Sequence, residues 1–138
     1  MKIGQVQFLN PEKLLKNRAF SQVAVISGPT KTIYIGGQNS VDSSGNIIAK
    51  GDLKGQAEQI LKNLQIALEA GGANFEHVIK WNIFVVQGHS PQPGFEVFQK
   101  VLGRLLNPPL ITMNFVAGLA NSDFLMEIDA IAVVPEEK

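Results

Sequence analysis

The strongest periodic pattern in the chain is an apolar stripe that begins directly after Asp52. Its members fall at the intervals of one helix face: Leu53, Ala57, Ile60, Leu61, Leu64 and Leu68. This spacing predicts an amphipathic helix with Asp52 as its N-cap and Gly71-Gly72 as its stop. A second and shorter stripe is made of Phe95, Phe98, Leu102 and Leu105. It predicts another helix, which follows a proline-containing loop and ends at Asn107-Pro108-Pro109.

Runs of β-branched and alternating residues predict strands on both sides of these helices. The predicted strands cover residues 22–26, 32–36, 78–86, 110–117 and 124–133, with a further candidate within 3–9. The turn Gly28-Pro29-Thr30 predicts that the first two of these strands pair as a hairpin. In the strand at 110–117, alternation predicts Ile111, Met113 and Phe115 on the core face.

The resulting order, β-β-α-β-α-β-β, predicts an α+β fold with two helices packed on one face of a mixed sheet. A length of 138 residues suits a single domain, residues 1–138. Because each helix has only one apolar stripe, the other face of the sheet needs a different cover. A partner subunit is the economical one, so we expect an oligomer.

Composition and charge exclude several classes of function. The chain has no cysteine, which excludes disulfides, thiolate metal sites and a cysteine nucleophile. Its 12 basic and 12 acidic residues cancel, and no basic run is present, so we expect no nucleic-acid partner. No signal-peptide pattern opens the chain and no apolar stretch approaches 18 residues, so we expect a cytoplasmic protein that does not enter a membrane.

Motifs that report common chemistry are absent from the sequence. There is no phosphate-binding loop, no GxGxxG and no GxSxG, and His77 and His89 lack further ligands at metal-binding spacing, so no metal site is expected. The last predicted strand carries Glu127 and Asp129 on the same side, opposite its core-facing residues. Two carboxylates so placed suit proton transfer, and they equally suit an exposed face or ion pairs with a neighbouring subunit.

Three local strings, in their order and spacing, resemble the RidA family, also called YjgF. They are Phe20-Ser21-Gln22, Ile35-Gly36-Gly37-Gln38, and the run EIDAIA that starts at Glu127. The first helix with its double glycine and the pattern VxKxxxFV that starts at Val78 also fit. The resemblance extends from about residue 10 to residue 133.

The resemblance implies a chorismate-mutase-like fold and a homotrimeric barrel with three clefts between subunits. In active relatives these clefts hydrolyse enamines and imines, formed from amino acids, to 2-keto acids and ammonia without a cofactor or metal. An arginine holds the substrate carboxylate, and a glutamate of the last strand, which matches Glu127, positions the attacking water.

The chain departs from the family pattern at the arginine. Aligning Pro108 with the first proline of the family string puts Leu110 at the arginine position and Thr112 at the cysteine/threonine position. A shift by one residue would put Ile111 at the arginine position instead. Neither Leu110 nor Ile111 carries a guanidinium group, so a substrate without a carboxylate is the expectation. Arg18 is a candidate replacement for the missing cation.

Other cleft positions differ as well. Phe20 keeps the ring of the family's tyrosine without its hydroxyl, Gly36 replaces a serine, and Gln92 falls near an asparagine. We therefore predict that Glu127 and Thr112 are catalytic. The predicted ligand-binding residues are Phe20, Gly36, Gly37, Gln38, Gln92 and Leu110.

Two functions stay open at this point. One is a hydrolase or deaminase of enamines or imines with an altered cleft and water attack assisted by Glu127. The other is a non-catalytic homotrimer that binds a small apolar ligand as a sensor or partner module. Ribonuclease activity, reported for some relatives, is not expected because RNA affinity depends on cationic contacts to phosphate.

Overall fold

A computed structural model describes residues 2–103, 105 and 107–138 of the chain. The element order is β1 (Gln5–Leu9), β2 (Val23–Ser27), β3 (Thr30–Gln38), α1 (Leu53–Ala70), β4 (Val78–Val86), α2 (Gln92–Leu102), β5 (Leu110–Val116) and β6 (Met126–Pro135). A short 3-10 turn, Phe75–His77, precedes β4. The predicted order of elements is thus confirmed, including the candidate strand near the amino terminus.

The strands form a four-stranded mixed sheet in the order β3-β6-β4-β5 and a separate antiparallel pair, β1-β2. Within the larger sheet only β4 and β5 run parallel, and α2 connects them. The predicted hairpin between β2 and β3 is wrong, because β2 pairs with β1 and β3 pairs with β6. Turn residues at Gly28-Pro29 mark a change of direction, but pairing with distant strands decided which neighbours the two strands have.

Helix α1 confirms its predicted stripe, all six members of which are buried. Gly71 caps the carboxyl end and Gly72 follows with φ of +82°, a conformation that favours glycine. Asp52 occupies the N-cap position, although its side chain accepts no capping hydrogen bond. The stripe packs on β3 and β6 and so forms one side of the core.

Helix α2 begins and ends earlier than its stripe predicted. Pro93 lies in its first turn, where a missing N–H costs nothing, and Gly103 caps its end. Leu105 therefore lies beyond the helix, and the side chain of Leu102 falls outside the described part of the chain. Val97 and Phe98 are buried and form the inner face of α2. Phe98 packs edge-on against Trp81 of β4, with 5.6 Å between the ring centroids.

Alternation along the central strands separates two faces of the sheet. Trp81, Ile83 and Val85 of β4 and Met126, Ile128 and Ala130 of β6 face the helices and are buried, as predicted for β6. The side chains between them point to the opposite side, which we call the open face. On β5, Ile111 and Met113 pack on the core as predicted, whereas Phe115 is 52% exposed because β5 is an edge strand. No helix in the described ranges is long and apolar enough to cross a membrane.

Candidate functional site

The open face carries most of the polar side chains that the central strands contribute. Strand pairing arranges them in three rows across β6, β4 and β5: Ile131, Lys80 and Leu110; Asp129, Asn82 and Thr112; Glu127, Phe84 and Asn114. All of these side chains except that of exposed Thr112 are partly buried. A set of carboxylates, amides, a hydroxyl and an ammonium on an otherwise apolar sheet is a candidate site for binding and proton transfer.

Glu127 lies against the glycine pair of β3. The register between β3 and β6 shifts between Ile35 and Gln38, so two β3 residues face one β6 residue. This bulge brings Gly37 so close that a Cβ atom there would lie 2.7 Å from both Cδ and Oε2 of Glu127. Nothing lies within 4 Å of the corresponding position at Gly36. The structure thus brings together two of the predicted site residues, Gly37 and Glu127, and leaves the carboxylate beside bare backbone. Gln38 pairs with Ile128 instead, and its side-chain amide donates to the carbonyl of Gly36.

Asp129 accepts a short hydrogen bond from Asn82, a residue that no sequence motif indicates. The Asn82 side-chain amide donates to Oδ1 of Asp129 at 2.6 Å, which joins β4 to β6 on the open face. The alternation of Lys80, Asn82 and Phe84 with buried Trp81, Ile83 and Val85 is the signal that could have found Asn82. Asp129 therefore has a local partner, whereas the carboxylate of Glu127 accepts no described hydrogen bond.

Two polar side chains of α1 fix the segments that lead to this site. The Asn63 amide donates to the backbone oxygens of Asn39 and Val41, just beyond Gln38, at 3.0 and 2.9 Å. Fully buried Gln56 accepts from the N–H of Leu125 at 2.9 Å and donates to the carbonyl of Asp123. The segment that follows Gly37 and the segment that precedes Glu127 are therefore both hydrogen-bonded to α1.

Thr112 and Leu110 lie on the same open face as Glu127 but not beside it. Thr112 is two strands and one row away from Glu127 in the pairing register. Two strand spacings alone amount to about 10 Å, more than a small imine spans. Within one chain, the two predicted catalytic residues are therefore not neighbours.

Phe20 and Gln92 lie elsewhere, around a cavity of about 760 Å³ between α2, β5 and the segment that precedes β2. Its apolar lining includes Phe20, Phe95, Phe98, Ile111 and Met113, and Arg18 and Gln92 are among its polar members. The Ser21 hydroxyl donates to the carbonyl of Pro108 and holds this segment at the start of β5. Because Ile111 and Met113 face the helices, this cavity opens on the opposite side of the sheet from Glu127 and Thr112.

The two histidines have no common site. His77 Nδ1 accepts a hydrogen bond from the backbone N–H of Asn74 at 3.1 Å and so caps the 3-10 turn, while His89 is exposed in a loop. Over residues 2–103, 105 and 107–138, no three metal-ligating side chains converge.

Comparisons with known proteins place this architecture in a family. The model of the family described as Endoribonuclease L-PSP matches residues 12–134. A RutC family protein of Pyrococcus horikoshii is 33% identical over 100 residues, which cover 72% of this chain and 77% of the relative. A 2-iminobutanoate/2-iminopropanoate deaminase of Rattus norvegicus is 30% identical over 115 residues, which cover 83% and 80%.

A solved structure gives the same result for the fold. The Rid-family protein YyfB of Yersinia pestis, of unknown function, superposes with a TM-score of 0.81 and 26% identity over 94% of this chain and 98% of that one. The mixed sheet with two helices on one face is the chorismate-mutase-like fold of these neighbours. The family match over residues 12–134 and the shared fold together show that the chain belongs to the RidA/YjgF family.

Proposed function

We propose that this protein hydrolyses an imine or enamine of a small metabolite to a carbonyl compound and ammonia, in a cleft between subunits. The observation that carries the proposal is the contact between Glu127 and Gly37. A carboxylate without a described hydrogen-bond donor lies beside a residue that has no side chain, which leaves its oxygens and the nearby backbone groups open to water and a small ligand. The 30% identical relative named 2-iminobutanoate/2-iminopropanoate deaminase supports the same reaction class.

The chemistry needs one base and donors for the developing charge. Water adds to the carbon of the protonated C=N bond while Glu127 accepts one of its protons, and a neutral tetrahedral amino alcohol forms. The Glu127 carboxyl group then returns its proton to nitrogen, and the hydroxyl group gives its proton back to the Glu127 carboxylate as the C–N bond breaks, so that the protonated imine and one water become a carbonyl compound and ammonia, with one proton left over. Backbone groups of Gly37 or Gln38 and the Thr112 hydroxyl bind the polar atoms, and Leu110, on the same open face, forms part of the wall. Phe20 has no part in this site, because it lines the cavity on the other side of the sheet.

We further propose that the site is completed by a second copy of the chain in a homotrimer. The separation of Thr112 from Glu127 by two strands of one sheet supports this arrangement, because a second copy can bring the two residues closer together than one chain does. The open face also carries Tyr34 of the edge strand β3, which is 78% exposed in the isolated chain and which a second copy would cover. Apposition of two open faces would bring Thr112 of one copy toward Glu127 of the next.

The test is ammonia release from imines that an amino-acid oxidase generates in the assay, over a panel of neutral and acidic amino acids. We expect acceleration over the oxidase alone with at least one member. A RidA relative that has the arginine serves as the positive control. Absence of acceleration beside a working control would overturn the proposed hydrolysis for imines derived from amino acids.

Gly37 gives a sharper test of the site's geometry. We expect Gly37→Ala to lower kcat/KM by about a hundredfold, since the new methyl displaces the Glu127 carboxylate and small displacements of a catalytic group have effects of that size. Gly36→Ala is the matched control and should lose far less, because its Cβ meets no atom within 4 Å. Circular dichroism checks that both variants fold. Equal losses in the two variants would mean that backbone freedom, not contact with Glu127, matters at this bulge.

The cavity at Phe20 favours a second candidate function, the binding of a small apolar ligand without catalysis. Its volume of about 760 Å³ and its aromatic and aliphatic lining fit such a ligand. In that case Glu127→Gln would leave ligand affinity at the cavity unchanged, because Glu127 lies on the other side of the sheet, and no variant would release ammonia.

A further inference from the structure

A second cavity lies between the β1-β2 pair and the far end of the open face. Its volume is about 480 Å³, and its apolar lining includes Val6 and Phe8 of β1 and Val133 and Pro135 of β6. Val133 is only 1% exposed although it lies outside the helix-side core, because β1 packs against this end of β6. It lies six residues beyond Glu127 on the same strand, about 20 Å away, so the cavity is separate from the proposed hydrolase site.

The polar part of this cavity combines a hydrogen-bond donor with an acceptor. His77 Nδ1 accepts from the backbone N–H of Asn74, so the hydrogen of the neutral ring is on Nε2. Among the described residues Nε2 has no hydrogen-bond partner, and Oε1 of Glu76 lies 4.0 Å from it, beyond hydrogen-bonding distance. Both side chains line the cavity. An N–H donor of fixed tautomer and a carboxylate acceptor therefore lie side by side at the edge of an apolar space.

We propose that this cavity binds a small neutral molecule that carries a primary carboxamide on an apolar body. The carboxamide oxygen accepts from His77 Nε2, and the carboxamide nitrogen donates to Glu76. Oxygen and nitrogen of a carboxamide are about 2.3 Å apart, so two diverging hydrogen bonds reach protein atoms separated by 4.0 Å. This binding site goes beyond the proposed hydrolysis and does not depend on it.

Charge at the cavity disfavours ionic ligands of the same size. A carboxylate ligand would accept from His77 but would be repelled by Glu76. An ammonium ligand would attract Glu76, but that side chain is 68% exposed, where an ion pair contributes little, and the His77 N–H would have no acceptor. The volume lies within the range of small-molecule sites, and the aliphatic lining favours an apolar body.

Cyclohexanecarboxamide tests the inference, with cyclohexanecarboxylate and cyclohexylmethylammonium as charged probes of similar shape. Methyl NMR titration of the whole protein measures each affinity and locates each probe. We expect the carboxamide to shift the methyl signals of Val6, Ile79 and Val133, all of which line this cavity. It should bind more tightly than the ammonium and about tenfold more tightly than the carboxylate, the size of one charge-assisted contact. Shifts confined to Ile111 and Met113 would place the probe in the Phe20 cavity and overturn the inference.

Glu76→Gln separates charge from shape at the acceptor. Glutamine accepts from the carboxamide and can also donate to a carboxylate, so we expect carboxamide affinity to stay within about threefold and the preference over the carboxylate to be lost. Glu58→Gln is the matched control, because it removes the same charge at an exposed position of α1 that lines neither cavity, and it should keep the preference. A preference that survives Glu76→Gln, or one lost equally in Glu58→Gln, would overturn the inference. No binding of the carboxamide to the unmodified protein would do the same.

The outcomes also separate this inference from the proposed function. Carboxamide binding without ammonia release would support this site and remove the hydrolase. Ammonia release without carboxamide binding would do the reverse.

Discussion

Replacing Glu127 by glutamine is expected to lower kcat/KM for imine hydrolysis by about 10²–10⁴-fold, the usual contribution of a general base. The change keeps the shape of the side chain and removes its negative charge together with its ability to accept a proton. The backbone contact with Gly37 is retained, since an amide occupies the same volume as the carboxylate. The measurement is ammonia release under steady-state conditions, with kcat and KM determined separately.

Asp129→Asn is the matched control for this prediction, because Asp129 lies on the same face of β6 two residues away. Its Oδ1 accepts from Asn82, and an asparagine oxygen can accept the same hydrogen bond. We expect a loss of less than about tenfold, since no proton transfer is assigned to it. Equal losses in the two variants would mean that the negative charge of the face, not the position of Glu127, supports the reaction. Full activity in Glu127→Gln would remove Glu127 from the mechanism.

Replacing Trp81 by alanine is expected to have the largest effect on stability, about 3–5 kcal/mol in the free energy of unfolding. Trp81 is fully buried and packs between Phe75 and Phe98, whose ring centroids lie 6.1 and 5.6 Å away. Truncation leaves a large cavity at the junction of α2 with the sheet. Urea unfolding followed by circular dichroism, at one fixed protein concentration, measures the change.

Trp81→Phe separates packing from polarity at this position. Within the described residues, the buried Nε1 of Trp81 has no hydrogen-bond partner, so the indole N–H already opposes folding. Phenylalanine removes that N–H and retains an aromatic ring, and we expect it to lose less than half as much stability as alanine does. Ile66→Ala, at a position of α1 that is 65% exposed, should change stability by less than about 0.5 kcal/mol. A Trp81→Phe variant as unstable as Trp81→Ala would contradict this account.

Local patterns were sufficient for the elements and for their buried faces. A fixed period of apolar residues was enough to identify the buried side of α1 and the buried side of β6, and the structure confirms both. Gly71-Gly72 ended a helix because backbone freedom is a local property. The ends of α2 were less well predicted, since a proline in its first turn is tolerated there and Gly103 stops the helix before Leu105.

The strand neighbours were decided only by tertiary structure. The sequence around Gly28-Pro29 indicates a turn. Whether β3, which follows the turn, pairs with β2 just before it or with β6 about a hundred residues later depends on long-range packing. The same long-range pairing determined which side chains share the open face. It produced the bulge that brings Gly37 to Glu127, placed Lys80 beside Leu110 and separated Thr112 from Glu127 by two strands.

The sequence by itself determined which residue types are available: a carboxylate on the last strand, glycines where backbone must approach closely, and no arginine at position 110. It could not determine distances between strands, because one residue of register moves every side chain to the other face. Nor could it determine where segments outside the sheet pack: Phe20 and Gln92, grouped with Glu127 by sequence, lie at a cavity on the helix side of the sheet. Asn82 became a candidate only when the strand pairing showed that its side chain adjoins Asp129.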